Sequence, residues 1–137
     1  MLKMAGLDHI VLRTTKLTQM LDFYCGHLGC TLERKTDDSL GLTQLRAGNT
    51  LIDIVTFDSK LGKLADNPPD LNSPNLDHFC LQVETSSMDE ICQYLTQHYI
   101  PHTEPENRYG AQGFGLSVYL TDPQGNTVEL KPKVDEG

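Results

Sequence analysis

The chain holds 137 residues, of which 38% are hydrophobic and 22% charged. That is about one domain's worth of sequence with enough apolar content for a core. Eleven basic against nineteen acidic residues leave a formal charge of −8, which repels phosphate backbones and anionic lipid headgroups and so excludes nucleic acid and membrane surfaces as expected partners. No apolar run approaches the ~20 residues that span a bilayer. Residues 1–6 are too short and mixed for a signal peptide, so the expected location is the cytoplasm. The four cysteines form no Cys-x-x-Cys pair, and are expected to be reduced, mostly buried thiols rather than a disulfide framework or a zinc knot.

In chain order, residues 8–13 predict a strand. Thr14 and Thr15 are candidate N-caps, and Leu17, Met20, Leu21, Tyr24 and Leu28 recur at helical spacing. Gly29 is placed to end that helix in a left-handed cap. Residues 31–35, 40–46 and 50–57 predict three further strands, separated by the turn residues Asp37-Asp38-Ser39 and Gly48-Asn49. Residues 58–75, with Pro68, Pro69 and Pro74, predict a linker.

The order then repeats. Residues 76–83 predict a strand, and Ser86 and Ser87 precede Asp89 and Glu90 by three in a capping-box pattern. Met88, Ile91, Cys92, Leu95 and Tyr99 form a helical stripe that Pro101 closes. A short strand is expected near 102–104. Residues 104–115 carry Gly110, Gly113 and Gly115 around Arg108, Tyr109 and Phe114. They read either as a hinged cover, in which Arg108 and Phe114 would touch a ligand, or as a plain surface loop. Strands at 115–120 and 127–131 flank the turn Asp122-Pro123-Gln124-Gly125.

The two halves are similar in detail. Leu7-Asp8-His9-Ile10-Val11-Leu12 opens the first and Leu76-Asp77-His78-Phe79-Cys80-Leu81 the second. Gly48-Asn49-Thr50 leads to Leu51-Ile52-Asp53-Ile54 as Gly125-Asn126-Thr127 leads to Val128-Glu129-Leu130. Matches in the same order indicate a duplication of one β-α-β-β-β module, residues 7–57 and 76–131, in a single domain spanning 1–137. His9 and His78 are equivalent, and so are Asp53 and Glu129. Taken singly, each is an ordinary strand residue. In duplicated positions, two imidazoles and two carboxylates form a donor set suited to one divalent transition metal. His27, His98 and His102 fall at helix ends or in loops and read as surface residues.

These residues resemble the vicinal oxygen chelate superfamily, which includes glyoxalase I, bleomycin-resistance proteins, extradiol dioxygenases and fosfomycin-resistance enzymes. The resemblance rests on Leu7-Asp8-His9, Phe23-Tyr24 with Leu28-Gly29, Asp77-His78, and Asp122-Pro123-Gln124-Gly125-Asn126 followed by Glu129-Leu130. It implies an α+β fold of two β-α-β-β-β modules that form an open, curved mixed sheet around a metal cleft. It also implies a divalent ion (nickel, zinc, cobalt, manganese or iron) on His9, His78 and Glu129. In glyoxalase I a fourth carboxylate falls on Asp53, here one methylene shorter than the family's Glu. Arg13 matches the arginine which that enzyme uses for the glutathione carboxylate, and Phe57 stands where it places a glutathione-binding asparagine. The implied function is metal-dependent chemistry on a small molecule chelating through vicinal oxygens, such as a glutathione hemithioacetal, with Glu129 and Asp53 as catalytic carboxylates. The same fold also serves ligand-sequestering proteins, extradiol dioxygenases and epoxide thiol transferases. A homodimer is expected.

Overall fold

A computed structural model describes residues 1–64, 67–84 and 87–135, with Leu64 described in its backbone only. The chain divides into two compact units, Met1–Asn75 and Leu76–Gly137. Each contains a four-stranded mixed sheet and one main helical segment, in the order β-α-β-β-β. The open sheets match the α+β, glyoxalase-like fold expected from the sequence. No helix among the described residues is long and apolar enough to cross a membrane.

In the first unit β1 (His9–Thr14), β2 (Thr31–Lys35), β3 (Leu42–Ala47) and β4 (Thr50–Thr56) lie in the order β1-β4-β3-β2. β1 runs parallel to β4, and the other neighbours are antiparallel. Strand alternation sends Leu12, Ile52, Ile54 and Leu45 into the core, each essentially without exposed surface. The helical segment starts as α1 (Leu17–Leu21) and widens into a π-helix over Asp22–His27. There Leu28 N–H donates to Phe23 O, one residue further back than in an α-helix. The wider turn buries Phe23 beside Tyr24, their rings edge to face at 5.0 Å, where a 3.6-residue stripe had selected Tyr24 alone. Thr14 is not the N-cap. Its Oγ1 accepts from Lys16 N–H, and Lys16 occupies the cap position without a side-chain bond. Gly29 has φ +85°, the left-handed conformation expected of it.

β1 lies at the sheet's edge, and Asn75 covers one of its rungs. The Asn75 amide accepts from Arg13 N–H through Oδ1 and donates through Nδ2 to Arg13 O, both at 2.9 Å. A side-chain amide here replaces the peptide group of a further strand.

In the second unit β5 (His78–Val83), β6 (Glu106–Gly110), β7 (Gly113–Thr121) and β8 (Thr127–Pro132) lie in the order β5-β8-β7-β6. β5 is parallel to β8. The helix α2 (Met88–Gln97) begins at Ser87, whose hydroxyl accepts from Glu90 N–H at 3.2 Å; Ser86 lies outside the described residues. Met88, Ile91 and Leu95 are buried as its stripe predicts. Tyr99 leaves that stripe. It adopts φ +56°, is almost fully exposed, and lets Ile100 fold back so that its N–H donates to Leu95 O. The helix therefore ends in a left-handed cap filled by a tyrosine.

The expected strand at 102–104 and the expected cover over 104–115 are both replaced by a β-hairpin. β6 pairs with β7 from Glu106 opposite Ser117 to Gly110 opposite Gly113, around a two-residue turn. The glycines that read as hinges have another role. Gly113 supplies φ +90° at the turn, and Gly110 and Gly115 leave room for the Lys131 side chain, which lies 3.4 Å and 3.6 Å from where their Cβ atoms would stand. Lys131 Nζ donates to Arg108 O at 2.7 Å and to Gly115 O at 3.2 Å.

The β7–β8 turn is a buried polar knot. Asp122 Oδ1 accepts from Gln124 N–H and Asn126 N–H, and its Oδ2 accepts from Asn126 Nδ2, at 2.8–2.9 Å. With Gly125 at φ +93°, these bonds set the register that places Glu129 opposite Tyr119.

Candidate metal centre

The register carries the duplication to atomic detail. Asp53 pairs with Val11, two residues after His9, and Glu129 pairs with Cys80, two residues after His78. Residues two apart on a strand share a face, so each carboxylate lies diagonally across from its histidine. His9 Nε2 is 4.0 Å from Asp53 Oδ2. His78 Nε2 is 3.4 Å from Glu129 Oε1.

The preceding aspartates complete the pattern. Asp8 meets His9 Nδ1 at 2.7 Å, and Asp77 meets His78 Nδ1 at 2.6 Å. A carboxylate on Nδ1 leaves Nε2 as the nitrogen facing Asp53 or Glu129, as ligating histidines are commonly held. The hydrogen bond to Asp8, reinforced by the charge of Asp53, raises the His9 pKa above its ordinary 6.5.

Both carboxylates are buried, at 4% and 6% exposure, and both have partners. Gln44, opposite Asp53 on β3, donates its amide to both Asp53 oxygens at 3.2 Å. Ser117 donates to Glu129 Oε2 at 2.6 Å. Tyr119 places its ring edge-on to His78, with 5.8 Å between centroids. Cys80 also lies on this face. Solvent reaches the residue, yet its sulfur sits among atoms that strip water from a thiolate, and Glu129 adds negative charge. Together they push the thiol pKa up to about 12. Of the four cysteines only Cys30 is buried, Cys25 and Cys92 are half-buried and Cys80 is exposed, so the expectation of mostly buried thiols does not hold; all four are free of disulfides, as expected. Gln44, Ser117 and Tyr119 follow from strand alternation only once the pairing is known, because Gln44 and Tyr119 stand opposite the two carboxylates and Ser117 lies two residues from Tyr119.

The remaining candidates separate by face. Arg13 shares the His9 face of β1, and its guanidinium lies 5.8 Å from the Phe57 ring centre while Nη1 donates to Asn67 O at 2.7 Å. Arg13 and Phe57 are therefore brought together. Arg108, opposite Gly115, shares the face of Ser117, Tyr119 and Glu129. It is paired with Glu106, and the Tyr119 hydroxyl and the Glu106 carboxylate beside it hold its pKa up. Phe114 is an odd number of residues from Tyr119 on the same strand and so projects from the opposite face, against Tyr109. The structure does not bring it to the histidine–carboxylate pair.

The donor chemistry fits a divalent ion. Two donor atoms bound ~2.1 Å from a common ion stand ~3.0–3.5 Å apart; the 3.4 Å separation of His78 and Glu129 falls in that range, and the 4.0 Å of His9 and Asp53 exceeds it. Within each unit the donors come as pairs; no group of three or more His, Cys, Asp or Glu side chains converges among the described residues.

Comparison with known proteins places this geometry in a family. The sequence profile of the Glyoxalase/Bleomycin resistance protein/Dioxygenase superfamily matches residues 6–130. The chain belongs to that superfamily. It is 28% identical over 135 residues to the glyoxalase domain-containing protein RDO1 of Mycosarcoma maydis, covering 98% of this chain and 72% of that protein. Its fold is similar to that of virulence protein STM3117 from Salmonella typhimurium (TM-score 0.79, 22% identity, 97% of this chain and 100% of that one). It is also similar to lactoylglutathione lyase from Agrobacterium tumefaciens (TM-score 0.67, 20% identity, 93% of each chain).

Proposed function

We propose that the protein is a divalent-metal-dependent enzyme of the glyoxalase type, acting on a small molecule that chelates the metal through neighbouring oxygens. The observation that supports this most is the duplicated pair: a histidine held at Nδ1 by the preceding aspartate, with Nε2 toward a buried carboxylate, in the same register in both units. In this reading His9, Asp53, His78 and Glu129 are the ligands, supplied by one chain or by two copies in a homodimer. The bound ion would act as a Lewis acid toward the chelating oxygens.

The chain's own residues would do the rest. Glu129, with Oε2 held by Ser117, keeps Oε1 to take a proton from the substrate carbon and return it to the neighbour. Asp53, held by Gln44, is the corresponding carboxylate of the first unit. Arg13 over Phe57 would bind an anionic end of the substrate. A glutathione hemithioacetal is the first substrate to assay.

Native mass spectrometry of the parent and of His78→Ala tests the ligands. One divalent ion per site in the parent, lost in the variant, is expected; an apo parent after incubation with excess nickel, zinc, cobalt, manganese and iron would overturn the reading. Glu129→Gln should lower hemithioacetal turnover by roughly 10²–10⁴-fold.

A further inference from the structure

We propose that Arg34 is a second anion-reading residue at the His9–Asp53 pair, so that the substrate carries a carboxylate in addition to its chelating oxygens. The inference rests on the metal-dependent reading above. One cross-strand row of the first sheet runs Val11, Asp53, Gln44, Arg34. Arg34 Nε donates to Gln44 Oε1 at 2.8 Å, and Gln44 Nε2 donates to both oxygens of Asp53. One amide group therefore separates the guanidinium from the candidate ligand.

Arg34 reaches this row only through a bulge. Thr31 pairs with Arg46 and Leu32 with Leu45, but Arg34, not Glu33, pairs with Gln44. Without the extra residue Arg34 would stand opposite Thr43, on the buried side of β3. Bulges commonly re-aim a side chain beside a site. The bulged residue Glu33 meanwhile neutralises Arg46 at 2.7 Å. Arg34 has a neutral partner, and no described residue takes its Nη1 and Nη2 donors. In a chain of net charge −8, an uncompensated guanidinium with its fork open, one amide from the candidate ligand, suits a carboxylate bound through two parallel hydrogen bonds. The equivalent of Gln44 in the second unit is Tyr119, opposite Glu129, and the arginine beside it, Arg108, is already paired with Glu106, so the uncompensated guanidinium belongs to the first unit.

The test compares acetohydroxamate with its carboxylate-bearing analogue, succinate monohydroxamate, by calorimetry on the zinc-loaded parent and on Arg34→Gln. The parent should bind the carboxylate-bearing probe about tenfold more tightly. Arg34→Gln should weaken that preference to whatever share Arg13 supplies and leave acetohydroxamate binding unchanged. Equal binding by the parent, or an undiminished preference in Arg34→Gln, would overturn the proposal. A metal-free arm follows the Arg34 Nε–H resonance during titration with succinate or with neutral succinamide. A shift with succinate alone supports the assignment, and the same response to both, or none, refutes it. If zinc does not load, that failure belongs to the metal-dependent reading, and the metal-free arm alone decides the role of Arg34.

Discussion

Ser117 donates its hydroxyl to Glu129 Oε2 at 2.6 Å, on the oxygen other than the one that faces His78. The bond both offsets the burial of a carboxylate and fixes its rotation. Ser117→Ala should cost about 1–3 kcal/mol, the usual penalty for leaving a buried acceptor without its donor. Urea unfolding of the metal-free protein would show it as a lower midpoint at constant slope. In the proposed enzyme the same change should reduce turnover, because Glu129 loses the orientation of Oε1.

His9 should titrate above 6.5 in the metal-free protein, because Asp8 and Asp53 both favour its charged form. Its raised pKa contributes stability that is fully present below the unfolded value and is lost as pH rises through the folded one. NMR titration of the imidazole would locate the midpoint, and Asp8→Asn should move it down. Since a ligating imidazole must be neutral, metal uptake at this pair should strengthen as pH rises past that midpoint.

Cys80 should resist alkylation despite its exposure. With the thiol pKa near 12, almost no thiolate exists at pH 8, so iodoacetamide should react much more slowly than with the same cysteine in the unfolded chain. Glu129→Gln should speed the reaction by removing the neighbouring charge. Mass spectrometry of the quenched protein would follow both rates.

Tyr99→Gly should stabilise the protein by about 0.5–1 kcal/mol. Tyr99 holds φ +56° with nearly its whole side chain in solvent, so the tyrosine carries the strain of the left-handed cap without packing in return. Thermal unfolding would read the gain directly.

Much of the fold was legible because both modules share one periodic pattern and equivalent turns. Strand alternation, the Ser87 cap and the Asp122 turn are local devices, and local devices leave local signatures. The histidine–carboxylate pairs were legible through the repeat, which is long-range information written twice. The β6–β7 hairpin was not, because the glycines that accommodate Lys131 spoil the alternation that marks a strand. Phe114 was misplaced for the same reason: inside a loop it has no face, whereas on β7 it has one, opposite Tyr119. The π-turn that buries Phe23 and the bulge that turns Arg34 each shift a register by one residue, and nothing in the local sequence records such a shift. Gln44 and Ser117 became visible only once the pairing was known.

Asn75 occupies the position of a missing neighbour. Its amide satisfies the Arg13 N–H and carbonyl on an edge strand, where another molecule's backbone could otherwise begin to zip on. The last residue of the first unit thus also guards that unit against templated association. Asn75→Ala would reopen a single rung, and its effect would be read as slow aggregation during storage rather than as lost activity.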